Sequence, residues 1–269
     1  MNRKLRALDQ QFGDLVVALA RASIGPVVPV TEPTIAVVIP AYNEADGIVG
    51  VLDELPTQLA GMKVAPIVVV DGGTDDTAAV ARAAGYATLV HPVNRGQGDA
   101  LRTGFAHALE LGADIVMTMD ADGQHRPDQM LDVLMPIVRD DADYVQGSRF
   151  LGEYDDAGGA RDLGIRGFTA LINRVSGAGI TDCTNGFRAI RAKSLSSMQL
   201  TEARFSAPEI IIEASRAGLR IVEVPVHIRS RSHGESKKPR RLGYPLGFLG
   251  VIARTGRRPG AVRPRSHLQ

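Results

Sequence analysis

The chain reads as an α/β protein with a doubly wound, mainly parallel sheet flanked by helices, and three observations carry that reading. From Thr34 onward, short β-rich runs alternate with helical patterns, the arrangement that builds βαβ units. The run Ile35-Ala36-Val37-Val38-Ile39 is apolar at every position rather than at every other one, as a strand covered on both faces must be. Each early run also ends in a loop carrying Gly, Asp, Asn or Arg, at the end of the strand where open α/β sheets bind ligands.

Residues 4–22 are expected to be helical, with Leu5, Leu8, Phe12, Leu15, Val16 and Leu19 at helical spacing. Pro26, Pro29 and Pro33 then force an extended linker. Strands are expected at 34–39, 66–70, 88–91 and 115–119, and helices at 44–59, 75–84 and 98–111. A helix at 127–138 and a strand at 144–147 follow, then a Gly-, Asp- and Arg-rich loop at 151–167. A helix at 166–176, an irregular Gly-rich stretch, a helix at 207–217 and a last strand at 220–228 complete the body. The chain thus divides into an N-terminal helix and linker (1–33), a main domain (34–238) and a basic, partly amphipathic tail (239–269).

With 269 residues, 44% hydrophobic and 23% charged, the chain can bury a sizeable core, and it has no 18-residue apolar run to span a bilayer. Cys183 is its only cysteine, which excludes an internal disulfide and agrees with a reducing cytoplasm. The N-terminus has acidic residues within its apolar stretch and no signal-peptide core, so a cytoplasmic location is expected. The net charge of +1 hides an asymmetry: the segment from Arg229 onward carries +10 and the rest −9. Such a tail attracts anionic surfaces. The acidic body, without Trp and with few Phe and Tyr, offers no stacking platform for nucleic acid.

The most informative segment is Asp120-Ala121-Asp122-Gly123-Gln124-His125, directly after the run Ile115 to Met119. Two carboxylates one residue apart at a strand mouth suit a hard divalent cation, Mg²⁺ or Mn²⁺, whose open positions phosphate oxygens fill. Pro40, Tyr42, Asn43 and Glu44 follow the first strand, where Pro40 is expected to stop the ladder and Asn43 to cap a helix. Asp71-Gly72-Gly73 ends the second strand, with Asp71 placed to accept the N–H edge of a nucleobase and Asp75 or Thr74 as a helix cap. The Gly-rich entry Gly96-Gln97-Gly98 opens the next helix, with Arg95 and Arg102 as phosphate partners.

The series IPAYNEAD, VVVDGGTDDT, NRGQGDALRTGF, DADGQHRPD, GSRF, TDCTNGFRAIR, EVPV and RSHGESK, from about Thr34 to Lys238, resembles the inverting family 2 glycosyltransferases. Within them it is most similar to the dolichyl- and polyprenyl-phosphate mannose synthases. The resemblance implies a GT-A fold, a GDP- or UDP-hexose donor, and a metal held by Asp120 and Asp122 with Gln124 associated. Pro40, Tyr42, Glu44, Asp71, Gly98 and Ala121 would then line the nucleotide side, with Asp71 reading the base. Arg149, Arg166, Arg231 and Lys237 match positions that line the acceptor phosphate. Val70 and Gly73, where the family usually has Asp and Ser, and Gln97, where Lys is common, leave guanine and uracil donors both open.

A phosphate-monoester acceptor needs no general base, whereas a sugar hydroxyl needs a carboxylate, for which Glu209 and Asp182 are the candidates. The lipid-phosphate acceptor is the first reading and a soluble phosphorylated or polysaccharide acceptor the second; a non-catalytic nucleotide-binding module comes third. In the tail, Phe248, Leu249 and Ile252 between Arg240, Arg241 and Arg254 would let a helix lie on an anionic membrane, or else pack on the body. The N-terminal helix would serve likewise or make a homodimer contact.

Overall fold

The computed structural model describes residues 3–22, 31–155, 159–230 and 243–258. Arg231 and Lys237, two of the expected acceptor residues, lie outside them. Along the chain the elements are α1 (Arg3–Ala22), β1 (Thr34–Ala41), α2 (Ile48–Asp53), β2 (Gln58–Leu59), β3 (Met62–Asp71), α3 (Thr77–Ala83), β4 (Ala87–His91), α4 (Gln97–Leu111) and β5 (Ile115–Thr118). A 3-10 turn at Pro127–Gln129 leads into α5 (Met130–Val138), followed by β6 (Tyr144–Ser148), α6 (Ala160–Ser176), β7 (Arg188–Arg191), α7 (Ala192–Leu195), α8 (Ser206–Arg216), β8 (Ile221–Pro225) and α9 (Gly243–Gly256).

One sheet runs in the order β4-β3-β1-β5-β7-β6-β8, with β2 a short antiparallel neighbour at the start of β3. The pairs β1·β3, β1·β5, β3·β4 and β6·β8 are parallel, and β7 runs against both β5 and β6. Alternation along β1 feeds two cores. Ile35, Val37 and Ile39 pack with Ile48 and Leu52 of α2 and Val133 and Leu134 of α5. Ala36 and Val38 face Leu101 and Phe105 of α4, Ile172 of α6 and Ile211 of α8. Every residue from Ile35 to Ile39 is fully buried, as the unbroken apolar run requires.

Several local expectations are corrected. The helix expected at 44–59 is only α2, because Pro56 restricts Leu55 and the chain then turns back through Ala60 (φ 48°) and Gly61 (φ 77°) into β3. Pro40 does not stop the ladder: it sits inside β1 opposite Val69. Val38 bonds toward β5 through its carbonyl, and that pairing ends at Val38 and Thr118. Pro40, two residues on, therefore has its missing donor on an edge that β5 has already left. Helix α6 begins at Ala160 after Gly159 (φ 86°), so Arg166 stands in mid-helix rather than at its start. The irregular Gly-rich stretch contains β7 and α7.

The terminal helices pack on the body. Helix α1 lies on α4 and β4 with Val16 and Ala20 buried, while Phe12, Leu15 and Leu19 stay about half exposed. At Gly13, a Cβ would meet Arg95 and Arg102 guanidinium nitrogens at 3.0 Å, and the Arg95 guanidinium also lies 4.9 Å from the Phe12 ring centroid. In α9, Phe248, Val251 and Ile252 are buried against α8 and α6. Phe248 and Ile252 therefore belong to the core rather than to a membrane face, and among the described residues of the tail Leu246 and Leu249 are the large apolar side chains left exposed. Arg254 pairs with Glu202 (2.6 Å) and Arg258 with Glu209 (2.7 Å), so part of the tail's positive charge is neutralised within the protein.

Cys183 is fully buried, and burial pushes its thiol up to about 11. At pH 8 the native protein should fail to react with an aromatic disulfide reagent over hours, and it should release one thiol equivalent per chain in denaturant. Rapid native reaction would contradict this placement.

Candidate active site

Four loops leave the C-terminal ends of β1, β3, β4 and β5, and the contacts among them set the shape of the site. Asn43, in the left-handed region at φ 54°, accepts a hydrogen bond from the Thr74 amide at 2.9 Å. It bridges the first two loops rather than capping a helix. A Cβ on Gly73 would fall 2.5 Å from Asn43 Oδ1, so only glycine permits this approach. Asp75 accepts from the Thr77 amide (3.1 Å) and hydroxyl (2.6 Å) and from the Ala45 amide (3.0 Å), so it ties back the first loop, while the N-cap position of α3 falls on Asp76 rather than on Asp75 or Thr74. Pro40 and Glu44 are half-buried, and Tyr42 is exposed, at this end of the sheet.

Asp71, the expected base reader, is buried and holds the third loop. It accepts from the Arg95 amide (2.9 Å), the Gly96 amide (2.6 Å) and His91 Nδ1 (2.7 Å). His91 Nε2 in turn lies 2.8 Å from the Thr103 hydroxyl, which is also 3.0 Å from the Asp99 carbonyl. Gly98 also differs from the expectation: its amide donates to the Ala203 carbonyl at 2.8 Å, and a Cβ there would lie 2.0 Å from the Glu202 carbonyl oxygen. The close approach that this glycine permits is to the protein's own 202–203 segment. Arg95 and Arg102 both turn to buried Asp99 (2.9 and 2.6 Å) instead of standing ready for phosphate.

The carboxylate turn stands at the centre. Asp120 is 32% exposed at its side chain and its Oδ1 accepts from Gln97 Nε2 at 3.1 Å. Its amide donates to His125 Nδ1 (3.0 Å), which leaves His125 Nε2 to donate to Asn185 Oδ1 (3.0 Å), and the imidazole stacks on Phe187 at 5.1 Å. Buried His125 is thus a strut that fixes the Asp120 backbone. Asp122 is half-buried and accepts the Gln124 amide at 3.1 Å. The Gln124 side chain donates to the Arg229 carbonyl (3.1 Å), and the Arg229 amide donates back to the Gln124 carbonyl (2.9 Å). Ala121 is a core residue.

Among the described residues no three His, Cys, Asp or Glu side chains form a group that could hold an ion by themselves. The donor set is instead two carboxylates on one partly exposed turn, which fits a hard cation completed by ligand oxygens. Asn185 Nδ2, buried beside Asp120 in the cleft wall, has no acceptor among the described residues, and a bound ligand oxygen would give it one.

Arg149 enters the cleft from the end of β6. Its Nε donates to Asp182 Oδ2 at 2.6 Å and its Nη2 to the Thr184 hydroxyl at 3.1 Å. Its ion-pair partner among the described residues is Asp182. Fully buried Asp182 also accepts the Thr184 amide (3.1 Å) and hydroxyl (3.2 Å), so it orients Arg149 and has no room to act as a base. Glu223 of β8 in turn holds the amides of Thr181 (2.6 Å) and Asp182 (3.0 Å), and burial raises its carboxyl above the usual range.

Glu209, the other candidate base, is 1% exposed on α8. It accepts from the amides of Thr201 (2.8 Å) and Glu202 (2.9 Å), the Thr201 hydroxyl (3.2 Å) and Arg258 (2.7 Å). It is a structural anchor for the 201–203 segment and for α9. Arg166 is exposed, with its guanidinium 4.3 Å from the Phe150 ring centroid, and it is Arg161, one turn earlier on α6, that lines the cleft with Asp162 and Tyr154. The Tyr154 hydroxyl donates to Asp162. The cleft thus unites Asp120, Gln124 and Arg149 from the expected set, adds Arg161, Asn185 and Arg229, and leaves Asp122, Arg166, Asp182 and Glu209 outside its lining. Arg161 was hidden in a segment without periodicity; Glu223 was legible only as a lone charge in the strand EVPV.

This sheet, with paired carboxylates on the turn after its central strand, is a GT-A fold. Glucosyl-3-phosphoglycerate synthase from Mycobacterium tuberculosis, solved with Mn²⁺, UDP and glucosyl-3-phosphoglycerate, matches it with a TM-score of 0.65 at 21% identity, over 93% of this chain and 84% of its own. The model of Glycosyl transferase family 2 matches residues 36–198, more than half of the sequence, and the chain belongs to that family. It is a glycosyltransferase. The undecaprenyl-phosphate mannosyltransferase of Micrococcus luteus is 36% identical over 213 residues, 74% of this chain and 85% of its own. The UDP-N-acetylglucosamine–dolichyl-phosphate N-acetylglucosaminyltransferase of Methanococcus voltae is 32% identical over 217 residues, 72% of this chain and 85% of its own.

Proposed function

We propose that this enzyme transfers a hexose, mannose or glucose, from a nucleoside diphosphate sugar to polyprenyl phosphate with inversion at the anomeric carbon. One observation carries the choice of acceptor. The two carboxylates that a hydroxyl acceptor would call on, Asp182 and Glu209, are buried and fully engaged, while the cleft beside Asp120 is lined by three basic residues, Arg149, Arg161 and Arg229, the last also paired with Glu54. A phosphate monoester, with its second pKa at about 6, arrives as an anion and requires no base. The relatives named for undecaprenyl and dolichyl phosphate support the same acceptor.

In this reading an acceptor phosphate oxygen attacks the anomeric carbon. The bond from that carbon to the diphosphate breaks, and its electron pair leaves on the diphosphate oxygen. Asp120 and Asp122, with Gln124 beside them, would hold Mg²⁺ or Mn²⁺, and the ion would neutralise charge on the departing diphosphate. Arg149, oriented by Asp182 and Thr184, binds the acceptor phosphate and offsets its repulsion from the donor. His125 and Gly186 set the Asp120 carboxylate against the start of β7, where any Cβ on Gly186 would lie 2.7 Å from its Oδ1.

Among the described residues no helix is long and apolar enough to cross a membrane. A paired acceptor assay tests this reading. Polyprenyl phosphate should be glycosylated in the presence of the right donor, and the matching polyprenol, which offers only a hydroxyl, should not be. Equal transfer to the alcohol would remove the argument from the missing base.

A further inference from the structure

We infer that Gln97 is a positioning residue for the metal carboxylate, one that sets the cation affinity of the site by holding Asp120 through a neutral donor. The inference rests on the metal reading above. Gln97 is exposed at the N-terminus of α4, and its Nε2 donates to Asp120 Oδ1 at 3.1 Å. The residue is held there from two sides. On one, Asp71 takes the amides of Arg95 (2.9 Å) and Gly96 (2.6 Å). On the other, the Ala203 carbonyl takes the Gly98 amide (2.8 Å), and backbone oxygens stand so close to Gly96 and Gly98 that a Cβ at either would lie within 2.4 Å of one.

The second side of the clamp is itself anchored. Glu209 takes the amides of Thr201 (2.8 Å) and Glu202 (2.9 Å), and Arg258 from the end of α9 closes on Glu209 at 2.7 Å. Buried ends at positions 96 and 98 thus flank one exposed side chain aimed at the site's first carboxylate. A primary amide donates a hydrogen bond without bringing charge, so it orients Asp120 without itself opposing a cation. An ammonium at the same place would compete with the cation. An opposite charge near a carboxylate changes its affinity for a proton by about one to three powers of ten, and a divalent ion on the same oxygens feels the same field.

The test is Mn²⁺ binding by electron paramagnetic resonance of the full chain without donor, for wild type, Gln97→Lys, Gln97→Glu and Asp122→Ala. We expect Gln97→Lys to weaken Mn²⁺ binding at least about tenfold and Gln97→Glu to tighten it, with thermal unfolding unchanged in both because the side chain is exposed. A loss confined to folding would not produce shifts of opposite sign. If wild type binds Mn²⁺, Asp122→Ala abolishes it and both Gln97 variants match wild type, the positioning role is overturned and the metal site stands. If wild type shows no Asp122-dependent binding, the metal reading falls and the role of Gln97 falls with it.

Discussion

Asp122→Ala is expected to lower sugar transfer about a thousandfold, equivalent to ~4 kcal/mol of transition-state stabilisation, while leaving the fold intact. The carboxylate is half-buried on a turn, where it accepts from the Gln124 amide at 3.1 Å. Each hydrogen bond lost from such a turn costs about 0.5–1.5 kcal/mol, a minor effect for a sheet whose central strand is buried on both faces. The chemical loss is far larger because, with no third acidic or imidazole ligand grouped there among the described residues, removing one of two carboxylates removes half of the charged donor set. Circular dichroism melts and product formation measured on one preparation separate the two effects. A folded Asp122→Ala enzyme at full rate would exclude the proposed metal–diphosphate chemistry.

Glu209→Ala should do the reverse. The substitution strips acceptors from two backbone amides and a hydroxyl, and takes the 2.7 Å partner from the Arg258 guanidinium, which keeps Glu213 at 3.1 Å. Leaving buried donors unpaired costs about 1–3 kcal/mol each, which together lowers the melting temperature of a chain of this size by roughly 10 °C. Glu209→Gln keeps the shape and an acceptor oxygen, so the fraction that folds should retain wild-type turnover within a few-fold. A general base replaced by its amide would instead lose about 10²–10⁴-fold, and that outcome at unchanged stability would return Glu209 to the chemistry.

The two carboxylates behave so differently because of environment, and this divides what the sequence conveys from what it does not. The runs at β1, β3 and β5 are apolar and end in turn residues, so their places and the position of Asp120 and Asp122 at a strand mouth were readable from local pattern alone. Strand β7 was not: Arg-Ala-Ile-Arg is four residues long, charged at both ends, and becomes a strand because β5 and β6 flank it and Gln146 accepts from buried Arg188 at 3.0 Å. Asp182 and Glu209 looked like bases because a carboxylate's engagement depends on donors such as Arg149 and Arg258, 33 and 49 residues away. The same blindness to pairing made the tail look uniformly available for anionic partners, whereas Arg254 and Arg258 face Glu202 and Glu209. Gly98 was legible as part of a Gly-rich helix entry, but glycine spacing does not say that the 202–203 segment comes near it.

The central claim is that this family 2 glycosyltransferase makes a glycosyl phospholipid. The most direct measurement is mass spectrometry of products after the purified protein is incubated with Mn²⁺, a short polyprenyl phosphate and GDP- and UDP-hexoses offered one at a time. One donor should yield a hexosyl polyprenyl phosphate together with its nucleoside diphosphate. Donor turnover with no sugar on the lipid, or transfer only to a soluble acceptor added beside it, would contradict the assignment.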